Sequence, residues 1–186
     1  MTAETEWVEE LGPRIADSLS QPGIFVKVGF RLPYALSVAG YRVETVEPVA
    51  PPLLRKYETD LLIGEHINTS SDWLTRVVIE SKLGDLTTHD ALTYSAKAAT
   101  HKNVHPYLRY GMVIGRHPGA VPGRLIRHGH QFDFMLTLPS ETVSTEDLER
   151  LSQLLQDEIQ ASREIGRLLS EKSNVTLVHR KWITAT

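Results

Sequence analysis

Glu58-Thr59-Asp60-Leu61-Leu62-Ile63-Gly64-Glu65-His66 and Leu74-Thr75-Arg76-Val77-Val78-Ile79-Glu80-Ser81-Lys82-Leu83 are the two runs that decide how this chain folds. Each carries an unbroken apolar centre, and Asn68-Thr69-Ser70-Ser71-Asp72 between them is a cluster of turn formers, so together they read as a β-hairpin. A turn centred near Ser70 places Asp60 opposite Glu80. Directly opposed side chains of an antiparallel pair lie about 5 Å apart. Glu80 and Lys82 are two residues apart in one strand and emerge on the same face. Two carboxylates and an ammonium group thus meet in one spot, beside a core built from Leu61, Leu62, Ile63, Val77, Val78 and Ile79.

That grouping points to metal chemistry. Two carboxylates held together repel one another unless a cation bridges them. Mg²⁺, with Mn²⁺ as a substitute, suits such a site, because it takes oxygen ligands, keeps several waters and shares its shell with substrate phosphate. Lys82 is placed to activate or orient an attacking water. A solvated hairpin with an ordinary Glu80–Lys82 surface ion pair is the plainer account of the same letters.

Outward from the hairpin, Trp7, Val8, Leu11, Ile15 and Leu19 recur at helical spacing, which predicts a helix over Ala3 to Ser20 stopped by Pro22-Gly23. Ile24 to Phe30 and Tyr41 to Val49 read as strands. Thr87 with Asp90 has the form of a capping box and opens a helix from Thr88 to His101. Strands over Tyr110 to Arg116 and Gln131 to Leu138 follow, then a long helix from Thr145 to Lys172 and an extended tail from Val175 to Ile183. The expected fold is α/β (α+β): a mixed central sheet flanked by helices, with a long C-terminal helix. One domain over 1–186 is expected, its core spanning about residues 3–140 and its C-terminal helix and tail about 145–186.

These residues resemble the paired motifs of the PD-(D/E)XK nuclease superfamily: Tyr57-Glu58-Thr59-Asp60-Leu61-Leu62-Ile63, then Val78-Ile79-Glu80-Ser81-Lys82. That family includes many restriction endonucleases and Holliday-junction resolvases, and its core of helix, three strands, helix, strand is similar to the order expected from Ala3 to Arg116. The resemblance implies a restriction endonuclease-like fold and Mg²⁺-dependent hydrolysis of DNA phosphodiester bonds. It implies Asp60 and Glu80 as metal ligands, the backbone carbonyl of Ser81 as a further ligand and Lys82 as the catalytic lysine. Thr59 stands where the family has proline. An assisting acid on the first helix is expected, with Glu6, Glu9 and Glu10 as candidates and Glu10, a turn from Trp7 and Glu6, the foremost of them. On the following helix, Asp90, Tyr94, Lys97 and His101 form a polar stripe. Tyr94 and Lys97 are the assisting residues expected there, Lys97 as a phosphate holder.

Composition agrees with a globular protein, at 41% apolar and 23% charged residues, without a run long enough to span a membrane. The acidic opening MTAETEWVEE is unlike a secretory signal, so a cytoplasmic location is expected. Net charge is −3, yet no acid occurs between Asp90 and Asp133. Lys97, Lys102, Arg109 and Arg124 in that stretch are the expected nucleic-acid contacts, most naturally to double-stranded DNA. Arg116-His117-Pro118-Gly119 and Val121-Pro122-Gly123-Arg124 read as flexible arms toward a groove. His101 with His105, and His128 with His130, offer a rival zinc site but read better as part of the basic surface. The apolar stripe Leu148, Leu151, Leu155, Ile159, Ile165, Leu168 and Leu169 exceeds what one face of a small domain needs, so a homodimer through the last helix is expected. A nuclease-fold module that binds nucleic acid without cutting it is the alternative.

Overall fold

In the computed structural model, which describes residues 2–67 and 71–171, the central hairpin has the expected register at its inner end. Leu61 stands opposite Ile79, Leu62 opposite Val78 and Ile63 opposite Val77, with a bulge just beyond at Gly64. These strands are β2 (Leu53–His66) and β3 (Trp73–Leu83), and β1 (Ile24–Ser37) lies antiparallel on the outer side of β2. Helix α1 (Ala3–Leu19) precedes them. After β3 come α2 (Thr88–Val104), β4 (Arg109–Gly115), α3 (Gly123–His128), β5 (Phe134–Thr137) and α4 (Thr145–Ser170). The sheet has five strands in the order β1-β2-β3-β4-β5, the last two parallel to their inner neighbours.

Alternation along the strands sorts the core into two layers. Leu61, Ile63, Val77, Ile79 and Val113 meet Trp7, Leu11 and Ile15 of α1 and Leu151, Leu155 and Ile159 of α4. On the opposite face, Leu62, Val78, Tyr110, Met112 and Ile114 meet Ala91 and Ala98 of α2 and Leu125 of α3. A sheet covered on both faces explains why the middle of β3 and nearly all of β4 are buried at successive positions. Each such Leu or Ile withdrawn from water contributes about 1.5–3 kcal/mol.

The sheet changes hand beside the candidate site. Val26 and Leu61 pack with α1 and α4, whereas Phe30 and Leu32 pack with α2. Between them Gly29 sits at φ 62°, a left-handed conformation that glycine adopts without steric cost. Beyond that point β1 and β2 continue as a two-stranded ribbon, since β2 pairs with β3 only from Leu61 to His66.

Several expected boundaries change. Tyr41 to Val49 is not a strand: β1 runs on to Ser37, β2 begins at Leu53, and only an isolated Tyr41–Pro48 bridge closes the ribbon tip. Its β-branched residues, such as Val43 at 97% exposure, have no face to cover, and Pro48, Pro51 and Pro52 donate no ladder bonds. Val121 to Arg124 is no flexible arm either, because Pro122 leads into α3 and Leu125 is buried beneath it. The C-terminal helix is present, but its stripe is covered by the chain's own sheet and by α1; Leu151, Leu155 and Ile159 are fully buried, and Leu169 is its one exposed large apolar residue. The expected turn residues 68–70 and the tail beyond 171 lie outside the described residues.

Candidate active site

β3 ends its pairing with β2 where the candidate acids begin. The last paired residues are Leu61 and Ile79, and the next inward-facing backbone donor, Ser81 N–H, donates to the Asp60 carboxylate at 2.6 Å. Asp60 therefore completes the ladder with its side chain as β2 peels away. Glu80 stands beside it with 1% of its surface exposed. Its Oε1 accepts from the Tyr110 hydroxyl at 2.5 Å and pairs with Lys97 Nζ at 2.8 Å. Lys97 also donates to the Glu58 carbonyl.

Lys82 leans away, toward the start of α1, where Glu4 holds it at 3.2 Å. Glu4 also accepts the Leu83 N–H at 3.3 Å. The acid that α1 brings to this cluster is thus Glu4, in its first turn, whereas Glu6, Glu9 and Glu10 are exposed. Ser81 is fully buried, its N–H committed to Asp60. Tyr94 lies on α2 one turn before Lys97, whose ammonium sits 6.0 Å from the Tyr94 ring centre.

Electrostatics follows from burial. Desolvation pushes the Glu80 carboxyl up to about 7, Lys97 opposes the rise, and the Asp60 charge reinforces it. Asp60 is also held above the usual carboxylate range, first by desolvation and further by Glu4, against the Ser81 N–H and the two lysines. Tyr94 is raised to about 12, mainly by burial and then by Glu80 and Asp60. Tyr110 is raised as well, again chiefly by burial, so it remains a donor to Glu80. Three carboxylates face two ammonium groups here, leaving a surplus of negative charge in a poorly solvated place.

Among the described residues, no three His, Asp or Glu side chains converge closely enough to hold an ion by themselves. The donor set fits a hard, hydrated cation better than zinc: two carboxylates, with water and substrate oxygens completing the shell. Glu80 Oε2 and one Asp60 oxygen make no hydrogen bond with other described residues and so remain available to it. His101 and His105 each meet a backbone carbonyl of β1 through one ring nitrogen. His101 Nε2 lies 3.3 Å from the Leu32 carbonyl and His105 Nε2 lies 3.1 Å from that of Pro33. Burial holds His101 down to about 4.

The four expected phosphate-binding cations do not form one face. Lys97 serves Glu80. Lys102 pairs with Asp133 at 2.7 Å, and Arg109 bridges Asp133 at 3.1 Å and Glu158 at 2.5 Å. Arg124 is exposed on α3, with one nitrogen 3.3 Å from the Leu86 carbonyl. By contrast, Arg31, Arg55 and Lys56 on the β1–β2 ribbon are exposed and make no ion pair among the described residues. Sequence reading missed them because they lie outside the acid-free stretch. It missed Tyr110 because a tyrosine in an apolar strand looks like core until its hydroxyl partner is known.

In comparisons with known proteins, no family model and no curated protein matches this chain.

Proposed function

We propose that this chain is a metal-dependent endonuclease that hydrolyses DNA phosphodiester bonds, with Asp60 and Glu80 as metal-holding carboxylates. The observation that carries the reading is the placing together of two desolvated carboxylates whose acidity burial weakens, with the Asp60 charge adding to the rise at Glu80 and Glu4 to that at Asp60. A group whose charge is costly in isolation is one that a bound cation relieves. The order of helix, three antiparallel strands, helix and parallel strand supports it too, being the order implied by the resemblance to the PD-(D/E)XK superfamily.

Asp60, Glu80 and the Ser81 carbonyl would hold Mg²⁺ or Mn²⁺, which when bound supplies charge compensation for the phosphoryl oxygens. Lys82 orients the attacking water and is itself held by Glu4. Lys97, on the neighbouring face of α2, balances Glu80 and turns toward a substrate phosphate as it releases that carboxylate. Tyr94 closes the side of the site. Cutting both strands of a duplex requires two such centres, so the proposal includes a homodimer.

The second reading, a binding module without cleavage, draws on the fact that both lysines are already paired with acids. Digestion of plasmid, linear duplex and single-stranded DNA decides between them. Cleavage that needs Mg²⁺ or Mn²⁺, stops with a chelator and is lost in Lys82→Ala supports the nuclease. Binding without cleavage in every metal supports the module.

A further inference from the structure

Beyond the carboxylate pair, on the α2 face of the sheet, lies a cleft of about 300 Å³ between the β1–β2 ribbon and the end of α2. Its walls are aromatic. Phe30 and Trp73 meet edge to face with ring centres 5.4 Å apart, and Tyr107 lines the cleft with them. Thr75 also lines it, and its hydroxyl, in a residue only 3% exposed, has no hydrogen-bond partner among the described residues. Arg31 and Lys56 line the opening, exposed and without an acid partner among the described residues.

Helix α2 joins this cleft to the catalytic acids. Lys97, His101 and His105 recur every four residues and so occupy one stripe. Lys97 touches Glu80, His101 stacks on Tyr110 with ring centres 5.6 Å apart, and His105 lines the cleft. Eight residues at 1.5 Å each separate the two ends by about 12 Å along the helix axis. At about 3.4 Å per stacked nucleotide, that is three to four nucleotides.

We propose that this cleft receives one unstacked nucleobase of the substrate strand, a few nucleotides from the bond to be cut. The inference rests on the nuclease reading above and adds a base-recognition site to it. An extruded base needs an aromatic surface to replace its lost stacking and a buried polar group for its edge. Phe30, Trp73 and Tyr107 provide the first. The unpartnered Thr75 hydroxyl provides the second, since a buried hydroxyl left unpaired is stabilised by any ligand that pairs with it. Arg31 and Lys56 meet the adjoining phosphate. A purely apolar ligand would leave the hydroxyl and both cations without a role.

The test is binding in EDTA, where cleavage cannot intervene, of a short oligothymidylate and of an abasic strand with the same number of phosphates. The wild-type protein is expected to bind the oligothymidylate about tenfold more tightly or better, the usual worth of one stacked base. Trp73→Leu should bring that ratio toward one while leaving abasic binding unaltered, and Lys56→Glu should weaken both strands. Thr75→Val keeps the shape of the side chain and should lower the ratio in a protein that melts as a folded one, which guards against misfolding of the Trp73 variant. Equal binding of the two strands by the wild type, or an unchanged ratio in both Trp73→Leu and Thr75→Val, overturns the inference. Mn²⁺ calorimetry on the same proteins, exchanged into chelator-free buffer, reports on Asp60 and Glu80 separately. Metal binding with a flat ratio removes the base site alone, and a base-dependent ratio without metal binding keeps the base site and removes the nuclease reading.

Discussion

Glu80 holds its proton in the folded chain up to about pH 7, against 4.5 for an unburied glutamate. Between those values the folded state binds more protons than the unfolded one, so stability falls as pH rises. The contribution is complete below pH 4.5 and lost above 7. At about 1.4 kcal/mol per pH unit it amounts to roughly 3 kcal/mol. Glu80→Gln should therefore match or exceed the wild type in stability above pH 7 and show a flatter dependence in denaturant titrations between pH 4.5 and 7.5. A parallel pH dependence in the two proteins contradicts the assignment. Asp60→Asn keeps the bond from Ser81 N–H, so it should remain folded while losing cleavage; full activity in that variant rules out its role as a ligand.

Among the elements, the hairpin was the most legible. The apolar runs around a turn-forming cluster gave the pairing of Leu61 with Ile79 that ends beside Asp60 and Glu80, and the Thr87–Asp90 capping box marked the start of α2. What could not be read was tertiary. Parallel pairing of Gly111 with Phe134 brings Asp133 beside Tyr110, whose N–H donates to its carboxylate at 2.7 Å. Asp133 there collects Lys102 and Arg109, so a basic segment in sequence became an ion network in space. Its side chain is 4% exposed, and removing it leaves two cations and a backbone donor short of their acceptor. Asp133→Ala is expected to cost about 3–5 kcal/mol in chemical denaturation. A loss below about 1 kcal/mol would contradict a buried, mutually dependent network around Asp133. Glu4 escaped notice for a similar reason: nothing local shows that the first turn of α1 meets the end of β3.

For the whole molecule, the amphipathic α4 proved to be part of the core, and its length alone did not require a second copy. Leu155→Glu is accordingly expected to unfold the chain instead of dissociating a dimer, because Leu155 is fully buried against the sheet. The large apolar residues left exposed concentrate on the ribbon, where Leu36, Tyr41, Val43, Val46, Val49, Leu53 and Leu54 are all at least 46% exposed. That is the surface on which the proposed homodimer is expected to form. Light scattering should give about twice the chain mass of 20.9 kDa, falling to one chain in Val43→Glu. A monomer at micromolar concentration contradicts the dimer. Among the described residues no helix is long and apolar enough to cross a membrane.

The central claim is that Asp60 and Glu80 together hold a divalent cation. Its most direct test is Mn²⁺ titration calorimetry at pH 6, repeated in two buffers with different heats of ionisation. At that pH Glu80 is largely protonated, so binding there must release its proton. The account predicts one ion per chain, a buffer-dependent heat reporting close to one proton released, and loss of binding in Asp60→Asn and Glu80→Gln. No binding by the folded wild type, or binding of equal strength in a protein carrying both substitutions, would contradict it.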